Sequence, residues 1–170
     1  MQFFIFETMS LSFKPATEKD IPVISQLANK IWHEHYPDII SVEQIDFMLE
    51  NRYSEAAIEK QMAGDEKFYL AYLDELPVAY ASIELKEGYY YLHKFYVDVA
   101  KHQGGIGKQF FNYVLVQIDA SKSIRLQVNR QNFKAINFYF KMGFTIERVG
   151  DFDIGGGYFM NDFVMKRNAM

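Results

Sequence analysis

The chain has 170 residues, which predicts one domain over residues 1–170 with a sizeable core. Its 49% hydrophobic content excludes a disordered chain, and its net charge of −4 provides no basic surface for nucleic acid or anionic lipid. It contains no cysteine, which excludes disulfides, thiolate zinc sites and a cysteine nucleophile. We therefore expect a cytoplasmic protein with no nucleic-acid, membrane or metal partner.

The first third of the chain is predicted to form a strand and three helices. Residues 1–8 are either an extra edge strand or flexible, and they lack the basic region of a signal peptide. Alternating residues at 10–14 predict the first strand, and a capping box at Thr17 precedes the first helix. A second capping box begins at Ser41, and a third helix is predicted over 55–62. The apolar stripe of the first helix consists of Ile21, Ile24, Leu27 and Ile31.

The rest of the chain mixes strands with two further helices. A helix is predicted to begin near Gly105, and another runs from its cap at Asn132 to Met142, followed by Gly143 as the C′ residue. The β-branched and aromatic runs that predict strands are residues 67–73, 78–85, 89–99, 123–128, 144–149 and 158–165. This order predicts an α/β (α+β) fold, with a mixed sheet and helices on both of its faces.

A glycine-rich turn, His102-Gln103-Gly104-Gly105-Ile106-Gly107, lies between a predicted strand and a predicted helix. Backbone N–H groups at such a place can hold a phosphate group. A Walker A loop is excluded because His102 stands where that loop needs glycine and Gln109 where it needs Ser or Thr. A dinucleotide fingerprint is excluded because Phe110 replaces its third glycine. Taken alone, the turn either binds a phosphate or only provides the left-handed backbone of a tight bend.

Two segments around this turn carry a family resemblance. The first runs from Tyr96-Val97-Asp98 to Gly107, and the second is Asn132-Phe133-Lys134-Ala135-Ile136-Asn137-Phe138-Tyr139-Phe140-Lys141-Met142-Gly143-Phe144. Together they resemble the GCN5-related N-acetyltransferase (GNAT) superfamily, with its Q/R-x-x-G-x-G/A loop and its N-x-x-A-x-x-F-Y-x-K-x-G-F helix. His102 departs from the loop pattern, which has Gln or Arg there. The resemblance implies the GNAT fold, a mostly antiparallel sheet of about seven strands that splays between strands 4 and 5, and it implies acetyl-CoA as co-substrate.

The resemblance also implies how the cofactor is held. The main chain of Phe95 and Val97 would pair with the pantetheine arm, and the Phe95 N–H would face the thioester oxygen as an oxyanion-hole donor. The N–H groups of the turn would hold the pyrophosphate, Asn132 would bond the cofactor, and Lys141 would reach the adenosine phosphate. The predicted cofactor-binding residues are Phe95, Tyr96, Val97, His102, Gln103, Gly104, Gly105, Ile106, Gly107, Lys108, Asn132 and Lys141.

The resemblance points to Tyr139 as the acid that protonates the departing thiolate, although a buried aromatic role alone would also explain it. An alkyl amine is mostly ammonium at neutral pH, so attack also requires a base. The fourth strand offers Tyr91 and His93, which lie two residues apart on one face, and no carboxylate stands there. His93 is the predicted base, with Glu84 on the preceding strand as a reserve.

The acceptor is predicted to bind near the loop that follows the first helix. Trp32, Tyr36 and Glu34 combine aromatic rings with a carboxylate and could hold a cation, or Trp32 could pack inward instead. The stretches 31–62 and 143–165 look similar to the PaiA-type spermidine/spermine acetyltransferases. We therefore predict an N-acetyltransferase that moves acetyl from acetyl-CoA to the primary amine of a small molecule, polyamines included, by direct attack. A protein N-terminal or lysine acetyltransferase and a non-catalytic acyl-CoA-binding module are the alternatives, and a homodimer is left open.

Overall fold

The computed structural model describes residues 10–98, 100 and 104–169. Predictions for residues 1–8, Val99, His102 and Gln103 lie outside the described residues. The described strands are β1 (Leu11–Pro15), β2 (Glu66–Leu73), β3 (Leu76–Leu85), β4 (Tyr89–Val97), β5 (Ser123–Asn129), β6 (Thr145–Gly155) and β7 (Tyr158–Arg167). The helices are α1 (Ile21–His35), α2 (Val42–Met48), α3 (Glu55–Ala63), α4 (Ile106–Leu115) and α5 (Phe133–Lys141), with a 3₁₀ turn at Glu18–Asp20 and a π-helical turn at Leu49–Tyr53.

The seven strands of the described chain form one sheet in the order β1-β2-β3-β4-β5-β7-β6. β4 and β5 run parallel, whereas the other neighbouring pairs of described strands are antiparallel. Helices α1 to α3 cover one face of the sheet, and α4 and α5 cover the other. The predicted mixed sheet with helices on both faces is therefore confirmed.

Side-chain caps set the starts of two helices, as the sequence predicts. Ser41 Oγ accepts a hydrogen bond from the Gln44 N–H at 3.2 Å, and Asn132 Oδ1 accepts one from the Ala135 N–H at 3.2 Å. Each cap satisfies an N–H group that the helix leaves without an internal acceptor. Gly143 follows α5 with φ of +87°, a left-handed conformation that glycine adopts without a steric penalty.

The last hairpin is longer than the sequence predicts. The strand predicted over 144–149 continues as β6 to Gly155, where it pairs with Tyr158 of β7. Gly150 and Asp151 have low strand propensity, so the sequence pattern stops the strand too early. Pairing with β7 overrides this local preference.

Two hydrophobic cores lie on opposite faces of the sheet, and we name them after the helices that cover them. The α4–α5 core is centred on Phe110, Phe111, Val114, Ile124, Leu126, Phe144 and Met165. The α1–α3 core contains the predicted stripe of α1 and is centred on Ile24, Ile31, Trp32, Ile45, Tyr53, Ile58, Leu70 and Tyr80. The apolar stripe that the sequence predicts for the first helix is therefore confirmed as buried.

β4 carries a bulge in its middle. The ladder with β3 pairs Ser82 with Lys94 and Ile83 with Leu92, which leaves His93 as the extra residue. The bulge lets His93 project from the strand without a partner in the ladder.

β4 and β5 pair only over their first residues in the described ladder. The parallel ladder runs from Tyr89–Ser123 to Tyr91–Arg125, although β4 continues to Val97 and β5 to Asn129. The two strands splay apart beyond this point, as the sequence resemblance implies, and the gap positions the site described next.

Candidate active site

A cavity of about 540 Å³ occupies the gap between β4 and β5. Phe138 and Tyr139 border it from the α4–α5 core, and Ile31 and Tyr36 border it from the α1–α3 core. The cavity therefore reaches both faces of the sheet, so two ligands can meet inside it from opposite sides. The predicted site residues on its wall are Tyr36, His93, Phe95, Tyr96, Val97, Gly105, Gly107, Lys108, Asn132, Tyr139 and Lys141.

The glycine turn lies at one end of this cavity. Gly104 and Gly105 have φ of +77° and +72°, and Gly105 is the N-cap of α4. The first helical hydrogen bond of α4 runs from the Gln109 N–H to the Gly105 carbonyl at 3.0 Å. The N–H groups of Ile106 to Lys108 precede it and have no acceptor within the helix, which is the arrangement that binds an anion at a helix N-terminus.

Gly107 is needed for a different reason than the left-handed glycines. A Cβ atom at Gly107 would lie 3.4 Å from Cε2 of Phe138 on α5. This close approach brings the first turn of α4 against α5 beside the cavity.

Two residues of the glycine turn do not line the cavity. Ile106 is buried in the α4–α5 core, and neither Ile106 nor Gly104 is on the cavity wall.

Helix α5 contributes Tyr139 to the wall. Its ring is 7% exposed and packs with its centroid 5.5 Å from those of Phe138 and Phe144. Burial raises the pKa of the Tyr139 hydroxyl, so this group stays protonated through the neutral range. A protonated hydroxyl is therefore held on a side chain that lines the gap.

Asn132 joins α5 to α1 at the same wall. Its Oδ1, which caps α5, also lies 3.2 Å from Nε2 of His35. His35 lines the cavity as well, although the sequence did not single it out. Lys141 is on the wall at the last turn of α5.

His93 and Glu84, the two base candidates of the sequence, are in direct contact. His93 Nε2 lies 2.7 Å from Glu84 Oε2, and Glu84 also pairs with Lys86 at 2.5 Å. A carboxylate only accepts hydrogen bonds, so Nε2 carries the hydrogen and Nδ1 of the neutral ring keeps its lone pair. Burial lowers the pKa of His93, and the ring is therefore neutral at pH 7 and able to take up a proton.

Besides Gly104 and Ile106, three predicted site residues that the structure describes do not line the cavity. The centroid of the Tyr91 ring lies 4.7 Å from that of the His93 ring, and Tyr91 is not on the cavity wall. Trp32 is 1% exposed, and its ring centroid lies 4.3 Å from that of Tyr36. Of the two roles predicted for Trp32, the structure therefore shows inward packing. Glu34 is exposed on α1. Of the predicted acceptor residues, the structure places Tyr36 on the cavity wall.

Asp162 of β7 is the main cavity residue that the sequence reading missed. It is 4% exposed and lies on the wall with Met160, on the side where Tyr36 is found. The signal that could have found it is a single acidic residue at an inward position of an alternating strand, between Met160 and Val164.

No group of three metal-ligating side chains occurs among the described residues. Within the same residues, no helix has the length and apolar character to span a bilayer.

Comparison with known proteins identifies the family. The acetyltransferase (GNAT) domain family matches residues 38–151, which is well over half of the chain. A sheet split between β4 and β5, with a glycine turn at the end of the gap, is the fold that the resemblance implied. The chain belongs to the GNAT family and is an acetyl-CoA-dependent acetyltransferase.

Individual relatives span nearly the whole chain. The spermidine N(1)-acetyltransferase of Thermoplasma acidophilum is 24% identical over 167 residues, which cover 94% of this chain and 98% of the relative. The crystal structure of the PaiA N-acetyltransferase from the same organism, in complex with coenzyme A, has a TM-score of 0.77 at 23% identity and covers 94% of this chain and 99% of its own. Arabidopsis thaliana Naa50, in complex with a bisubstrate analogue, has a TM-score of 0.67 at 20% identity, with 94% of this chain and 99% of its own covered.

Proposed function

We propose that this enzyme transfers the acetyl group of acetyl-CoA to a primary amine of a small molecule, with polyamines as the favoured class. The observation that carries the proposal is the cavity that crosses the sheet, with the glycine turn at one end and Tyr36 with Asp162 on the other side. An aromatic ring near a carboxylate suits an ammonium group. The name of the spermidine acetyltransferase relative supports the same class. We propose the cytoplasm as the location of this activity, and a chain without cysteine is compatible with that reducing compartment.

The cofactor is proposed to lie along β4 and over the start of α4. The N–H groups of the glycine turn would bind the pyrophosphate, and the backbone of Phe95 to Val97 would contact the pantetheine arm. Asn132 and Lys141 border the same cavity from α5 and would bind the remaining part of the cofactor. This arrangement needs no metal, because the turn and Lys141 together supply the positive end of the site.

Acetyl transfer is proposed to occur by direct attack within a ternary complex. The amine nitrogen forms a bond to the thioester carbonyl carbon, and the carbon–sulfur bond then breaks. Nδ1 of His93 takes the proton that the ammonium must lose, directly or through a water molecule, and Glu84 holds the ring by its Nε2–H. The Tyr139 hydroxyl gives its proton to the coenzyme A thiolate, and the Phe95 N–H stabilises the negative charge on the carbonyl oxygen. The acetylated nitrogen then loses its second proton, which returns to the Tyr139 oxygen directly or through water.

A glutamate at position 105 tests the turn. Gly105→Glu places a negative charge beside the proposed pyrophosphate and forces a side chain into the left-handed backbone, so coenzyme A affinity is expected to fall by at least roughly tenfold. Isothermal titration calorimetry with coenzyme A measures this. Gly88→Glu is the matched control, because Gly88 has a similar φ of +84° in open space outside the cavity. Equal affinity of both variants would refute the role of the turn.

The pH dependence of kcat tests His93. Because burial lowers its pKa, His93 becomes protonated only below the ordinary histidine value of about 6.5. At saturating substrates, kcat is expected to decrease as the pH falls below that value, since the protonated ring cannot accept another proton. In His93→Gln, this acidic limb is expected to disappear and kcat to be lower at pH 8. An unchanged limb in the variant would assign the base role elsewhere.

The acceptor class is tested by a panel of amines with acetyl-CoA, followed by release of free thiol. We expect turnover with spermidine, spermine or short diamines, and little with peptides that carry a free N-terminus or lysine. Preferred turnover of peptides would support protein acetylation, the alternative acceptor class. Absence of thiol release with every small amine would refute the proposed function.

A further inference from the structure

Asp162 is a buried carboxylate on the cavity wall that takes no part in the bond changes and proton transfers of the proposed reaction. It is 4% exposed, and its Oδ1 accepts no hydrogen bond from any described residue. In the sheet it lies opposite Asn129 of β5 and Gly150 of β6. A buried carboxylate without a hydrogen-bond donor is unfavourable, so a ligand that donates to it would gain affinity.

The positive charge of Arg130 does not offset the effect of burial on the pKa of Asp162. The charge of Arg130 lowers the pKa of Asp162 by less than burial raises it, and that pKa lies at about 6. The guanidinium of Arg130 is hydrogen-bonded to Asp151. Asp162 is therefore ionised above pH 6. Its side chain lines the cavity, and its buried Oδ1 has no hydrogen-bond donor among the described residues.

Asp162 belongs to the part of the cavity formed by α1 and β7. Burial, and after it the negative charge of Asp162, raises the pKa of the Tyr36 hydroxyl to about 12. Tyr36, Tyr139 and Asp162 line the same cavity. An acceptor that contacts Asp162 can therefore also extend toward Tyr139.

An amine held by Asp162 is a poor nucleophile. A carboxylate beside an ammonium group favours its protonated form and raises its pKa. The attacking amine must instead lose a proton, for which His93 is placed. A molecule with two amines can satisfy both requirements, one at each place.

We propose that Asp162 binds a second ammonium group of the acceptor, the one that is not acetylated, and thereby selects diamines and polyamines over monoamines. The inference rests on the proposed function, because it assigns one residue to acceptor selection at the same site. The ammonium of the ligand donates to the Asp162 carboxylate, which lines the cavity and whose Oδ1 has no donor among the described residues.

Steady-state kinetics with 1,4-diaminobutane and 1-aminobutane tests this selection. The ratio of kcat/KM for the diamine to that for the monoamine is expected to fall about 10- to 100-fold in Asp162→Asn, mainly through KM for the diamine. Asp162→Glu keeps the carboxylate and is expected to retain part of the preference. Asp65→Asn is the charge-matched control, because it removes one exposed acid outside the cavity and should leave the ratio unchanged.

Thermal unfolding of the coenzyme A complex gives a readout that does not depend on turnover. The diamine is expected to raise the Tm of the wild type and to have no effect on Asp162→Asn. A diamine preference that survives in Asp162→Asn, or an equal loss of kcat for both amines, would overturn the inference while leaving the proposed function intact. Binding of the diamine through Asp162 without acetyl transfer would support the inference and refute the proposed function.

Discussion

Tyr139→Phe is expected to lower kcat by about 10²- to 10⁴-fold, the usual contribution of a positioned general acid. Without the phenol, the thiolate must leave unprotonated or take a proton from water. The affinity for coenzyme A should stay within about twofold, because the phenylalanine ring preserves the packing against Phe138 and Phe144. Stopped-flow or steady-state measurement of thiol release, together with calorimetric titration of coenzyme A, checks both parts.

A matched variant separates the role of the Tyr139 hydroxyl from the general effect of removing a tyrosine hydroxyl. Tyr113→Phe deletes a hydroxyl on α4, where the ring packs against Phe13 and Tyr69 outside the cavity. It is expected to keep kcat within about twofold of the wild type. If Tyr139→Phe behaved like Tyr113→Phe, the acid would have to be another group or water.

Glu66→Gln is expected to lower the free energy of unfolding by about 3–5 kcal/mol, because it leaves a buried lysine without its anion. Lys94 Nζ lies 2.5 Å from Glu66 Oε1, and the two side chains are 6% and 9% exposed. Ser82 Oγ donates to the same Glu66 oxygen. Urea unfolding followed by circular dichroism measures the change.

The sign of the pH dependence provides a further check on this pair. Burial lowers the pKa of Lys94, and Glu66 opposes that shift. Without Glu66, the pKa of Lys94 in the folded state should lie further below the unfolded value of about 10.4. The variant should therefore regain stability as the pH rises from 7 toward 10, because the folded state favours the neutral amine.

Two controls distinguish a buried ion pair from an exposed one. The double variant Glu66→Gln, Lys94→Met removes both charges and is expected to recover most of the lost stability. Glu147→Gln breaks the more exposed pair with Arg125 and should change the free energy of unfolding by about 1 kcal/mol or less. An equally small effect of Glu66→Gln would mean that the pair contributes no more than a surface contact.

Features that depend on local pattern could be predicted from the sequence. The caps at Ser41 and Asn132 and the left-handed Gly143 are set by residue type, so the structure agrees with the prediction. The splay between strands 4 and 5 followed from the resemblance of two sequence motifs, since no composition or periodicity encodes it. Glu84 and His93 were each singled out separately, but only strand pairing shows that they touch.

The remaining features depend on tertiary contacts. A strict alternation along β4 would place Phe95 on the same face as His93, whereas Phe95 packs into the α4–α5 core. The difference arises from the bulge, which leaves no mark in the hydrophobic pattern. Asp162 was missed because its position matters only once β7 lies beside β5 and the gap next to it opens.

The extra residue in β4 also affects how this enzyme can change. If His93 were removed, Leu92 and Lys94 would stay in register with Ile83 and Ser82. His93 itself belongs to neither core, whereas Leu92 and Phe95 belong to the α4–α5 core and Tyr96 packs against the α1–α3 core. The side chain at position 93 is therefore not needed to keep either core packed. Under the proposed mechanism, substitutions there would exchange one proton-accepting group for another while the scaffold stays the same, so catalytic chemistry could diverge at this position independently of folding.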